Sequence, residues 1–128
     1  QRLSGATCAE HLAERAEQAA AICRRDPTGK TLVVLKGHQT IVADGQHYAV
    51  NATGNPGMAT GGTGDCLTGV IAAFVAQRMT PWDAARLGTH VHGLAGDLAA
   101  AALGQVSLVA SDLIDYLPAA FKAIAITK

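Results

Sequence analysis

The sequence predicts an α/β fold of few strands, one hairpin and about four helices. Three observations lead there. Thr31 to Leu35 (TLVVL) is a continuous apolar run of strand length. Ile41 to Val50 reads as a hairpin around Asp44-Gly45. Apolar residues at helical spacing recur in four separate stretches. With 128 residues the prior is one domain.

The first helix is expected from Thr7 to about Arg25. Thr7 is a candidate N-cap with Glu10 three residues on, the spacing of a capping box. Leu12, Ala16, Ala19, Ala20 and Cys23 form its inward stripe, and its many charges are read as a solvated face. Asp26-Pro27-Thr28-Gly29 stops it. The run at 31–35 suits a central strand buried on both faces. The segment after it, Lys36-Gly37-His38-Gln39-Thr40, is polar and contains glycine. Such loops at the carboxyl ends of buried strands are where open α/β sheets bind ligands. Lys36 would supply a point charge for phosphate, or is simply a charged residue ending a strand. His47, on the hairpin, is given no role.

The chain is organised around Asn51 to Val70. This stretch holds glycines at 54, 57, 61, 62, 64 and 69, with Gly45 just ahead of it. After Asp65 the pattern turns helical at once, with Leu67, Val70, Ile71, Phe74 and Val75 on one face up to about Gln77. A glycine loop feeding a helix start has a physical use. The first N–H groups of a helix lack partners inside it, and its dipole favours negative charge there. The amides of Gly62, Thr63 and Gly64 could therefore cradle a phosphate or an oxyanion. A carboxylate beside such an anion hole is useful mainly as an acceptor of a proton from an attacking hydroxyl, which makes Asp65 a candidate catalytic base. The plainer alternative is that Asp65 caps the helix and the glycines form a tight turn. The stretch is neither a Walker loop nor a GxGxxG fingerprint.

Thr80-Pro81-Trp82-Asp83 starts the third helix, with Ala84, Leu87, Val91, Leu94, Ala95 and Leu98 facing inward. Gly93 and Gly96 are expected to allow close helix packing. His90 and His92 are too close in sequence to share a face as metal ligands. Asp97 resembles the Gly-Asp pair at 64–65 but has no glycine loop before it. After a loop at 104–109, Ser111 is expected to cap a last helix, Asp112 to about Ile124, with Leu113, Ile114, Leu117, Ala120 and Phe121 apolar and Pro118 inside it.

Composition narrows the function. Ten basic and ten acidic residues give zero formal charge, and Lys and Arg do not cluster beyond Arg24-Arg25, so no nucleic-acid footprint is visible. Three scattered cysteines, Cys8, Cys23 and Cys66, form neither a CxxC nor a zinc spacing, which suits a reducing cytoplasm; Cys8 and Cys66 read as small apolar residues. No apolar run approaches the ~20 residues of a membrane span. The chain opens without Met or a signal peptide and reads as a fragment or processed piece.

Four segments then carry a resemblance: VVLKGHQT (33–40), NATGNPGMATGGTGDCLTG (51–69), HVHGLAGDLAA (90–100) and ASDLIDYLP (110–118). In this order and with these gaps, the chain resembles the ADP/ATP-dependent NAD(P)H-hydrate dehydratases of the ribokinase-like superfamily, over about residues 8–121. The long glycine segment is the specific part. The resemblance implies a carboxyl-terminal half of a three-layer αβα fold, with the amino-terminal half absent. It implies repair of hydrated NADH and NADPH by phosphorylation of the ring hydroxyl and elimination of phosphate, with ADP or ATP as co-substrate and Mg2+. It also implies that Lys36, Gly37, His38, Gln39, Thr40 and Gly64 contact the nucleotide. Asp65 would meet the hydrated substrate as base, with Gly62, Thr63 and Gly64 as the anion hole. The metal ligands are left unassigned. Family members often form tetramers, so a homo-oligomer or the amino-terminal half is the expected partner. Two alternatives stay open: a small-molecule kinase of the same superfamily, such as a hydroxymethylpyrimidine-type kinase, and a non-catalytic nucleotide-binding or assembly module.

Overall fold

The structure, a computed structural model, describes residues 8–126. It is α/β, with four α-helices and a three-stranded antiparallel sheet. The chain divides into two compact units, 1–50 and 51–128.

In the first unit, α1 (Cys8–Arg24) precedes β1 (Val33–Leu35), β2 (Ile41–Ala43) and β3 (Tyr48–Val50). The expected Thr7 cap lies outside the described residues. The small side chains of Ala16, Ala19 and Cys23 let α1 sit close on the sheet, where they are buried with Ile41 and Ala43. Leu12, Val33 and Leu35 pack around them. Ala20 is only half-buried. The Cys23 thiol donates to the carbonyl of Ala43 at 3.3 Å.

The strand order corrects one expectation. Among the described residues β1 is an edge strand, half-buried, and pairs with β2 alone. The central strand is β2, with all three residues buried. A short apolar run is apolar on both faces whether it lies in the middle of a sheet or at its edge beneath a helix, so TLVVL could not settle the order. The hairpin expectation holds. Val42 pairs with Ala49 and Ala43 with Tyr48. Asp44 closes the turn by accepting from the amides of Gln46 and His47 at 2.9 and 2.7 Å, and Gly45 takes φ 100°.

In the second unit, a 3₁₀ turn (Pro56–Met58) leads to α2 (Thr63–Ala76), α3 (Pro81–Leu103) and α4 (Ala110–Ile126). Thr80 caps α3 by accepting from the amide of Asp83 at 3.2 Å, with Pro81 at the first helical position. The core gathers Phe74, Ala84, Val91, Ala95 and Ala120, and Phe74 meets Phe121 edge to face with ring centres 6.0 Å apart. Val75 and Ile114, read as apolar positions of their helices, are 44% and 52% exposed. Ser111 does not cap α4. The helix already includes Ala110, and the carboxylate of Asp112 reaches back to the amide of Val109 at 2.9 Å. Pro118 lies within α4, which continues past it.

The glycines of α3 divide the packing differently from expectation. Gly88 is the one that admits a helix: a Cβ there would lie 2.6 Å from Cγ1 of Ile71 on α2. Gly93 and Gly96 instead admit the segment ahead of α2. A Cβ at 93 would lie 2.7 Å from the carbonyl carbon of Thr53, and one at 96 would lie 2.8 Å from Cγ of Met58.

Candidate functional site

The segment 51–62 is stitched to α3 and delivers the start of α2. The amide group of Asn51 donates to the carbonyls of Thr53 and Thr89, both at 3.2 Å. The Thr53 hydroxyl donates to the carbonyl of His90 at 2.9 Å. Asp97 accepts from the amide N–H of Gly54 at 3.0 Å and from Asn55 Nδ2 at 2.9 Å. Asn55 Oδ1 in turn accepts from the amide of Gly57 at 3.0 Å, which caps the 3₁₀ turn. The NATGNPGM lead-in therefore owes its residue types to this scaffold. Asp97, with no loop of its own, serves as its anchor.

At the start of α2, Gly62 is the N-cap residue with φ 91°. Only glycine takes that conformation readily, and a Cβ there would also press on Cβ of Ala110 at 3.1 Å. No side chain caps the helix. The Asp65 carboxylate is exposed and accepts no hydrogen bond from a described residue. The plainer reading of Asp65 as the helix cap is thereby set aside. Among the described residues, the amides of Gly62 and Gly64 donate to no partner. That of Thr63 points to the carbonyl of Thr60 at 3.4 Å, a long and weak bond. The Thr63 hydroxyl donates to the carbonyls of Met58 and Thr60 at 2.8 and 3.0 Å. Buried His92 on α3 places Nε2 2.9 Å from the Thr63 carbonyl oxygen. A carbonyl only accepts, so Nε2 carries the proton. The first turn of α2 is thus held from two sides, while Asp65 faces outward.

In the first unit, residues 36–40 form the tight connection between β1 and β2. The amide of Gly37 donates to the Thr40 hydroxyl at 3.3 Å, and that hydroxyl donates to the Gly37 carbonyl at 3.1 Å. Gln39 is left-handed at φ 58°, a costly conformation for a residue with a side chain. Lys36, His38 and Gln39 are exposed. The structure therefore brings Lys36, Gly37, His38, Gln39 and Thr40 together in one loop, and Gly62, Thr63, Gly64 and Asp65 together at one helix start.

Three contributors escaped the sequence reading. Arg15 binds the carbonyls of Leu35, His38 and Gln39. It falls three residues after Leu12, on the apolar stripe of α1, and a charge on that stripe was the available signal. His92 lies on a stripe of small residues with Gly88, Gly96 and Ala99, a similar signal. Asp97 gave none, since its partners are 42 and 43 residues away. His90 is exposed, and among the described residues no three His, Cys, Asp or Glu side chains are grouped to hold a metal ion. Cys23 and Cys66 are free thiols. No helix of the described residues is long and apolar enough to cross a membrane.

Comparison with protein families matches residues 1–119 to the NAD(P)H-hydrate dehydratase family. The chain belongs to the NAD(P)H-hydrate dehydratase family. The bifunctional NAD(P)H-hydrate repair enzyme Nnr of Moorella thermoacetica is 48% identical over 119 residues, covering 91% of this chain and 22% of that protein. The enzyme of the same name from Thermofilum pendens is 44% identical over 125 residues, covering 96% of this chain and 23% of its own. Among solved structures, the ADP/ATP-dependent NAD(P)H-hydrate dehydratase of Bacillus subtilis co-crystallised with ATP/Mg2+ superposes with a TM-score of 0.79 at 33% identity. That match covers 95% of this chain and 43% of the Bacillus chain. The dehydratase family and the ribokinase-like α/β fold inferred from the four motifs are thus both upheld. The chain spans less than a quarter of the length of the Nnr relatives and under half of the solved dehydratase.

Proposed function

We propose that this chain is the carboxyl-terminal part of a dehydratase domain that repairs hydrated NADH and NADPH at the expense of ADP or ATP. The observation that carries the proposal is the start of α2. Among the described residues, an exposed carboxylate without a hydrogen bond, Asp65, stands beside a helix N-terminus that no side chain caps. In the reaction, the hydroxyl oxygen on the reduced nicotinamide ring attacks the terminal phosphorus of the nucleotide while Asp65 takes its proton. The bond to the leaving nucleotide oxygen breaks, giving AMP or ADP. The ring C–O bond then breaks, its electron pair leaving with phosphate, and loss of a proton from the neighbouring ring carbon supplies the pair that restores the double bond.

Gly62 and Gly64 supply free amides to the charge that develops on the transferring group, with Thr63 completing the cradle. Phosphoryl transfer is mostly positioning and charge stabilisation, so few groups suffice. Lys36, Gly37, His38, Gln39 and Thr40 hold the nucleotide, as does Gly64. Magnesium, when bound, neutralises phosphate charge. It would arrive with the nucleotide, whose phosphate oxygens suit this hard cation. The setting is cytoplasmic, without nucleic-acid or membrane partners. A homo-oligomer such as a tetramer, or an amino-terminal half, would cover the open edge of β1.

The test is to incubate the chain, alone and joined to the rest of a dehydratase domain, with hydrated NADH, magnesium and ADP or ATP. Recovery of the reduced-nicotinamide absorbance supports the proposal. Nucleotide turnover on a pyrimidine-type alcohol, with none on hydrated NADH, would assign the chain to the kinases instead.

A further inference from the structure

We infer that Arg15 is a positioning residue that turns the amides of Lys36, Gln39 and Thr40 outward for the nucleotide. The inference rests on the reading of that loop under the proposed function. Arg15 is half-buried on α1, on the helix face turned to the sheet. Its Nη1 donates to the carbonyls of His38 at 2.8 Å and Gln39 at 3.1 Å, and its Nη2 donates to that of Leu35 at 3.3 Å. The described peptide bonds are trans. Across a trans peptide plane, the carbonyl of one residue and the N–H of the next point in opposite directions. Drawing the carbonyls of Leu35, His38 and Gln39 toward the guanidinium therefore turns the N–H groups of Lys36, Gln39 and Thr40 away from it. None of these three amides donates to another described loop or turn residue.

The loop's donors are thus sorted from its acceptors. The carbonyls of His38 and Gln39, which would repel phosphate, are occupied by a cation, while the amides of Lys36, Gln39 and Thr40 are turned away from it and Lys36 is exposed. The left-handed Gln39 fits this account. Its φ of 58° is unfavourable, and both peptide planes around it are fixed by Arg15. The planar fork of arginine can serve three carbonyls at once, whereas a lysine ammonium is a single point donor. Gly37 completes the fit, since a Cβ there would approach Nη2 of Arg15 at 3.2 Å.

The experiment compares the full chain with its Arg15→Lys and Arg15→Met variants. ADP is titrated by calorimetry, amide exchange is followed at residues 36–40, and melting is recorded. The expected result is that Arg15→Met weakens ADP binding by about tenfold or more, the scale of lost charged hydrogen bonds. Arg15→Lys should restore part of it, and the loop amides should exchange faster in both variants. A purely structural role would lower the melting temperature yet leave ADP affinity unchanged in folded protein. That result overturns the inference. If Arg15→Met fails to fold, Arg15→Lys decides in the same way, since unchanged affinity and unchanged loop exchange would refute the claim. If the unaltered chain binds no ADP while its loop amides still loosen in the variants, the nucleotide assignment falls and the orienting role of Arg15 stands.

Discussion

Nε2 of His92 donates to the carbonyl oxygen of Thr63 across 2.9 Å, tying the middle of α3 to the first turn of α2. The bond acts two residues before Asp65. It therefore links the packing of the second unit to the orientation of its candidate base.

Replacing His92 with Leu removes that donor from a buried position. A loss of about 1 kcal/mol is expected from the hydrogen bond, with faster amide exchange at the start of α2. Urea unfolding and exchange measurements at residues 62–66 check it. His92→Gln, which keeps a donor, should recover part of both.

Asp97 anchors the lead-in through Gly54 and Asn55. Asp97→Ala leaves two donors without their acceptor and should cost about 2–3 kcal/mol, the scale of charged hydrogen bonds. Chemical denaturation of the full chain gives the value. A change within a few tenths of a kcal/mol would show that the lead-in is held by other means.

Glycines of the second unit should respond to alanine in opposite directions. Gly69 lies within α2 with open space around it, so Gly69→Ala should stabilise by about 0.5–1 kcal/mol through helix propensity. Gly93→Ala would drive a methyl group against the Thr53 backbone and should destabilise by about 1–3 kcal/mol. Thermal melts of the two variants provide the comparison.

Asp26 should carry part of the acid sensitivity of the first unit. The Thr28 hydroxyl, then the Thr28 amide, the Thr31 hydroxyl and the Lys30 amide hold its carboxyl well below the usual value of 3.8. A depressed carboxylate contributes stability above its unfolded value, and that contribution fades as pH falls below about 3.8. Asp26→Asn should therefore flatten the fall in stability on the acid side of pH 4. Melting against pH for the two proteins tests the sign.

Much of this was legible in the residues. Thr80-Pro81-Asp83 placed the start of α3, and the glycine run gave the start of α2. Both signals are local, because caps and positive φ depend on neighbours in sequence. The sheet order was not legible. Val33 and Leu35 are apolar because they lie beneath α1, and Ile41 to Ala43 are buried at the centre without any alternating pattern. Arg15 was read as a solvated charge because its carbonyl partners lie 20–24 residues downstream. Gly93 and Gly96 were recognised as close-packing sites but assigned the wrong neighbour, since sequence shows that a side chain is missing and not what fills its place.

The central claim is that Asp65 removes a proton beside free helix amides, and its most direct measurement is the turnover of Asp65→Asn within a complete dehydratase domain. The variant should still bind ADP or ATP, while the rate of NADH recovery falls by about 10²–10⁴-fold, the scale of losing a general base. An Asp65→Asn protein that repairs hydrated NADH at the unaltered rate would contradict the account.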